Sequence, residues 1–185
     1  MVYRNGIYIA FAAEGQTDPT KSDIKYYNIM KGWKSMEGKD FTFTNSHDKV
    51  SAVRDTSKEE TIKTSLRERL KNSKSMLLLV GNKTKDDDDF VPYEIKYAID
   101  SCQIPIVVCY VNYSFRITNS IPDSLKKLWP SVLKERIDSE KVRTIHIPFK
   151  EKIILKAISK FDFNNPPNHA ITLYVDSVYD NFDIE

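Results

Sequence analysis

The sequence predicts a three-layer α/β fold, a central parallel five-stranded sheet with helices on both faces. Two observations carry this expectation. Apolar runs of strand length alternate about five times with segments of helical period, the order that selects a parallel sheet joined by crossovers. Two of those runs, at 76–80 and 104–111, lack the alternation of a half-exposed strand, so both of their faces must be covered. With 185 residues, 41% of them hydrophobic and 29% charged, the chain has the composition of one packed domain with a solvated exterior.

The first strand is the run Ile7, Tyr8, Ile9, Ala10, Phe11, which breaks into a turn-rich stretch at 13–19. Ser22 is placed to cap a helix whose face holds Tyr26, Ile29, Met30, Trp33 and Glu37, closing near Gly38. Phe41, Thr42, Phe43 and Thr44 alternate as a second strand, left through the polar run Asn45, Ser46, His47, Asp48. Ser57 and Glu60 have capping-box spacing, and Ile62, Leu66 and Leu70 recur every four residues behind them as a second helix. The run at 76–80 is the third and central strand, ended by Gly81 and Asn82. Four aspartates at 86–89 precede Phe90, Val91, Pro92, Tyr93 and Glu94. A proline in the first turn needs no intrahelical donor, so a helix starts at about Asp89 with acidic groups at its positive end.

The fourth strand, 104–111, carries Pro105 near its start, and 142–147 is a shorter fifth strand. Between them 122–128 forms a short helix, limited by Pro130. Ile153, Ile154, Ala157, Ile158 and Phe161 line a last amphipathic helix. The chain thus divides into a domain at 1–162 and a C-terminal extension at 163–185. That extension holds a break at Asn165, Pro166, Pro167, Asn168, then an apolar stretch at 171–175 that is either an added edge strand or a docking tail.

Several function classes fall away. Lys and Arg total 28 against 26 Asp and Glu, a net charge of +2 that gives no support to a nucleic-acid partner. The apolar runs fall far short of the roughly 20 residues of a membrane-spanning helix, and residues 1–6 lack the pattern of a signal peptide. The cytoplasm is the expected compartment. Cys102 and Cys109 form no CxxC pair and have no His cluster beside them, so they read as core residues, with no metal site. The aspartate run lacks the ligand spacing of a calcium loop and reads as a solvated helix entrance.

In an open parallel sheet, ligands bind beyond the carboxyl ends of the strands. The loops to search are therefore 12–19, 45–55, 81–90 and 112–119. They hold no GxxxxGK[ST] loop, GxGxxG turn, GxSxG elbow or HExxH helix. A phosphoacceptor reading needs an aspartate at the end of the third strand, where Val80, Gly81, Asn82 stand.

The run Ile7-Tyr8-Ile9-Ala10-Phe11, and above all Phe90-Val91-Pro92-Tyr93-Glu94-Ile95, resembles the bacterial TIR-like domain family, in the branch related to the TIR protein of Thoeris antiphage systems. The block from Ser57 to Leu70, followed by Leu77-Leu78-Leu79-Val80-Gly81, is similar to the same branch, and the resemblance spans roughly 5–160. It implies a flavodoxin-like, TIR-like fold. In TIR enzymes an aromatic residue, usually tryptophan, stands four residues before a glutamate required for cleaving NAD. Phe90 and Glu94 match that spacing, with phenylalanine in place of tryptophan.

The resemblance implies Glu94 as the catalytic residue and Phe11, Ala12, Asn45, Ser46, His47, Asp48, Asn82 and Phe90 as substrate-binding positions. It implies no permanently bound cofactor, NAD as substrate, and an ADP-ribose-derived signal, linear or cyclic, as product. The partners it implies are a second copy of the chain on activation, a phage-derived protein trigger, and a separate effector that responds to the product. The chemistry fits these residue types. Breaking the nicotinamide–ribose bond builds positive charge on the sugar, which a carboxylate stabilises, and residues one helical turn apart share a face. Without the resemblance, a glutamate one turn into a helix reads as a solvated surface residue. The replaced tryptophan, with Ala10 and Ala12 where polar residues are common, supports the competing expectation of a non-catalytic adaptor or oligomerisation module.

Overall fold

Four parallel strands, buried along almost their whole length, set the frame of the molecule. The structure is a computed structural model that describes residues 4–12, 23–35, 59–88 and 90–185. In chain order the elements are β1 (Gly6–Ala10), α1 (Ile24–Ser35), α2 (Glu59–Lys71), β2 (Ser73–Val80), a 3₁₀ turn (Thr84–Asp86), α3 (Phe90–Asp100), β3 (Ile106–Tyr110), α4 (Asp123–Lys126), α5 (Ser131–Asp138), β4 (Thr144–Pro148), α6 (Glu151–Lys160) and α7 (Asp176–Asp180). The sheet order is β1-β2-β3-β4. Tyr8 pairs with Met76, Leu78 with Val108, and Val108 with His146, so the strands stay in step across the sheet.

Alternation along each strand sorts side chains into two apolar layers. Tyr8, Ala10, Leu78 and Val108 face a layer with Leu66 and Leu70 of α2, Ile95 of α3 and Leu133 of α5. Ile7, Ile9, Leu77, Leu79 and Val107 face the opposite layer with Tyr27 and Met30 of α1 and the stripe Ile153, Ile154, Ala157, Ile158 of α6. Each fully buried aliphatic side chain contributes about 1.5–3 kcal/mol, which makes these layers the main source of stability. The α/β class and the helices on both faces are as the sequence predicts. The sheet has four strands among the described residues rather than five, because the predicted strand at 41–44 lies outside them, as do Ser22, Gly38 and Ser57.

Local differences have physical reasons. Helix α1 buries Tyr27 and Met30, whereas Ile29 is 44% exposed, so the inward stripe is rotated from the expected one. Strand β3 begins one residue after Pro105, whose carbonyl accepts the Met76 amide at 3.0 Å while its ring offers no donor. The short helix α4 ends at Lys126, four residues before Pro130, and Pro130 instead precedes α5, which starts at the next residue, a helix the sequence reading did not contain. Arg136 of α5 then holds Asp100 of α3 through two hydrogen bonds, 2.6 and 3.1 Å.

Beyond residue 162 the chain runs back over the core. Thr172 makes a single parallel bridge to Ile145, not a strand, through bonds of 2.9 and 3.1 Å. Tyr179 is fully buried and Ile184 nearly so, both in the layer shared with α6. Arg116, in the loop after β3, donates to Asp180 at 2.9 Å and to the Ile184 carbonyl at 2.7 Å. Apolar burial dominates this docking, since exposed ion pairs contribute little in water. No described helix is long and apolar enough to cross a membrane.

Candidate functional site

Helix α3 carries its only buried charged residue in an otherwise apolar stripe. Val91, Glu94, Ile95, Ala98 and Ile99 are its buried positions, spaced as one helical face. Glu94 is 1% exposed, so it is not a solvated surface residue. Its carboxyl meets β1: the Tyr8 hydroxyl donates a short hydrogen bond to Glu94 Oε1. Glu94 Oε2 is buried and has no hydrogen-bond partner among the described residues.

Burial disfavours the charged carboxylate and pushes Glu94 up from 4.5 to about 8. The Tyr8 hydrogen bond pulls the other way, Asp87 raises it further, and Arg69 of α2 lowers it. The Tyr8 phenol is itself held well above its usual 10, by burial first and by the neighbouring Glu94 second. The hydroxyl therefore remains a donor at every working pH. An acid poised near neutrality beside an unsatisfied oxygen is an arrangement that functional sites use.

The other predicted residues fall in different places. Phe90 is half-buried, one turn before Glu94, and packs on the layer that holds Tyr8 and Ala12. Ala12 is buried on that same side. Phe11 belongs to the opposite layer, its ring stacked on Tyr27 with centroids 5.1 Å apart. Asn82 is exposed in the turn after β2. Asn45, Ser46, His47 and Asp48 lie outside the described residues. The structure therefore brings Glu94, Phe90 and Ala12 to one side of the sheet and places Phe11 on the other. Asp86 and Asp88 are exposed, and Asp87 Oδ1 accepts the Val91 amide at 3.3 Å, as an acid at a helix entrance does.

Three polar features were missed by sequence reasoning. Tyr8 is the first, and strand parity could have found it, because positions 8, 10 and 12 share the face that helices α2 and α3 cover. The second joins the entry of α1 to the exit of β2. The Gly81 amide donates to Thr84 Oγ1 at 2.7 Å, and that hydroxyl donates to the buried Asp23 at 3.2 Å. A Cβ at Gly81 would lie 2.2 Å from Asp23 Oδ1, so any other residue there would displace the carboxylate.

The third is a buried relay on the far half of the sheet. Trp129 Nε1 donates to the Tyr110 hydroxyl at 2.8 Å, which lies 2.8 Å from His146 Nδ1. His146 Nε2 lies 2.8 Å from Thr144 Oγ1, whose hydroxyl donates to the Ala170 carbonyl. One consistent proton pattern runs from Trp129 to Ala170 with His146 neutral and protonated on Nε2. Burial lowers His146 from 6.5 to about 3.

Among the described residues no three His, Cys, Asp or Glu side chains are grouped to hold a metal ion. A shallow depression along α2, lined by Glu60, Thr61, Thr64, Ser65 and Glu68, contains none of the predicted site residues among those described. The family model described as Thoeris protein ThsB, TIR-like domain, matches residues 8–116. That span is more than half of the chain, and it contains Tyr8, Glu94 and each of the predicted binding positions.

Proposed function

The chain belongs to the TIR-like domain family of the Thoeris protein ThsB, and on that premise we propose that it is an NAD-consuming enzyme of antiphage defence. It cleaves the bond between nicotinamide and ribose and passes on an ADP-ribose-derived signal, linear or cyclic. The observation that carries this reading is Glu94, a buried carboxyl with one oxygen held by Tyr8 and the other without a partner among the described residues.

In the reaction the C1′–N bond breaks, its electron pair leaves with nicotinamide as a neutral molecule, and positive charge develops on the ribose. A carboxylate beside that sugar stabilises the developing cation, and the low-polarity surroundings of Glu94 strengthen the effect. With the site empty, burial keeps Glu94 largely protonated at neutral pH. The positive pyridinium of NAD, arriving near it, favours the charged form and sends the proton to solvent. Water or a hydroxyl of the same nucleotide then attacks C1′ and gives its proton to the Glu94 carboxylate, leaving the linear or the cyclised product. Phe90, half-buried one turn earlier, supplies an apolar wall beside the carboxyl. Self-association on activation, a phage-derived trigger and a separate effector that reads the product belong to the same proposal.

Nicotinamide release from NAD by purified protein, with and without lysate of phage-infected cells, tests the reading. We expect release from wild type and a loss of about 10²–10³-fold in Glu94→Gln. Equal rates in the two proteins, or no release from wild type under either condition, would overturn it in favour of the adaptor.

A further inference from the structure

The partner that holds Glu94 comes from the sheet and not from the helix layer. Tyr8 sits in the middle of β1, paired with Met76, with Ile7 and Ile9 turned to the opposite layer. The next two residues on its own face, Ala10 and Ala12, project no more than a methyl group. Tyr8 is thus the one described β1 side chain on this face with the length to reach α3, and it is fully buried. Its hydroxyl lies 86 residues away in sequence from the carboxyl it meets.

A buried phenol needs a hydrogen-bond partner, and a buried carboxyl needs more than one. The Tyr8 hydroxyl satisfies Oε1, and nothing described satisfies Oε2. The remaining charged neighbours are Asp87, at the entrance of α3, and Arg69, on α2. Neither has a hydrogen bond to Oε2. An unpartnered carboxyl oxygen in such a place is destabilising, a penalty that a polar ligand removes.

We infer that Tyr8 is the positioning residue of this site: its hydroxyl clamps Glu94 through Oε1, fixing the carboxyl plane so that Oε2 is the oxygen presented to substrate. The inference rests on the NAD-cleaving reading for the identity of that substrate, while the clamp itself rests on geometry alone. A Tyr8 that only filled space would be replaceable by phenylalanine, which keeps the ring and loses one oxygen. A clamp would not be, because its hydroxyl orients the acid and favours the ionised form.

Tyr8→Phe separates the two roles. Protein labelled with ¹³C at the glutamate carboxyls is titrated by NMR, with Glu94→Gln identifying the Glu94 signal. The wild-type midpoint is expected at about 8, and Tyr8→Phe is expected to raise it by about one pH unit, the scale of losing one hydrogen bond to a carboxylate. In turnover assays kcat at neutral pH is expected to fall roughly tenfold with KM changed less than about threefold, and the acid limb of the pH profile to move upward with the NMR midpoint. Placing 3-fluorotyrosine at position 8 keeps the ring, makes the hydroxyl a stronger donor and is expected to shift the midpoint downward, so the test survives a poorly folding Tyr8→Phe. An unchanged midpoint in both variants would overturn the clamp. Absence of nicotinamide release from wild type would overturn the NAD reading instead, and the titration would still decide on Tyr8.

Discussion

Tyr8–Glu94 and Tyr110–His146 are two pairs buried on the same face of one sheet, each a titratable group beside a tyrosine, and they differ in how their hydrogen bonds end. Around His146 the chain is closed: Trp129, Tyr110, His146 and Thr144 pass donor to acceptor until the Ala170 carbonyl accepts the last hydrogen bond. Around Glu94 it stops at an oxygen with no partner among the described residues. Burial opposes the charged form at both sites, raising the acid and lowering the base. A closed network of neutral groups ties elements together, and here it fastens β3, β4, the α4–α5 junction and the C-terminal extension. An open one keeps a valence in reserve, which is what a site for a passing ligand requires.

The largest test of the contrast is the pH dependence of stability. Glu94 holds its proton up to about 8 in the folded protein, against 4.5 ordinarily. Between those values the folded state binds more protons, so this site lowers stability as pH rises from 4.5 to 8. His146 has the opposite sign. It charges at 6.5 when unfolded and only near 3 when folded, so its contribution is complete above 6.5 and is lost as pH falls towards 3. Inside each window the limiting slope is roughly 1.4 kcal/mol per pH unit. Denaturant melts of wild type and Glu94→Gln from pH 4 to 9 read both slopes. Between 4.5 and 6.5 the two slopes oppose each other in wild type, so the fall from 6.5 to 8 is expected to vanish in Glu94→Gln and the His146 rise to stand uncovered up to 6.5; an alkaline slope unaltered by Glu94→Gln would break the comparison.

Next in size is His146→Ala. It leaves Tyr110 and Thr144 without their shared partner and opens a cavity between β3 and β4, at an expected cost of about 3 kcal/mol by urea denaturation. Turnover per folded molecule is expected to stay within about twofold of wild type, because the closed network touches none of the site residues among those described. The smallest effect is expected from Arg116→Ala. Arg116 is partly exposed and its two aspartates are well exposed, so the melting temperature should move slightly, and still less as salt is added. A large drop there would show that the extension is held by the polar contacts of Arg116, its ion pairs and its bond to the Ile184 carbonyl, rather than by the apolar burial of Tyr179 and Ile184.

Much of the fold was legible in the sequence. The runs behind β1, β2 and β3 and the stripe Ile153, Ile154, Ala157, Ile158 stand out because burial on two faces, or along one helical face, imposes its period on local sequence. Helix α5 was hidden by Pro130, which reads equally as a stop and as a start. Glu94 was legible through its spacing from Phe90, and its burial was available from the stripe at 91, 94, 95, 98 and 99. Tyr8 passed as one more apolar strand residue, and His146 as part of a short buried strand, because strand parity assigns each a face but not the partner that meets its polar atom.

The sequence by itself determined the α/β class, the order of the elements and the family resemblance, since these depend on residues close together along the chain. Only the tertiary structure decided which polar groups are closed and which are open. Tyr8 and Glu94 are 86 positions apart, Tyr110 and His146 36. A hydrogen bond between such residues depends on strand register and helix placement to within fractions of an ångström, and that precision arises only when the layers pack.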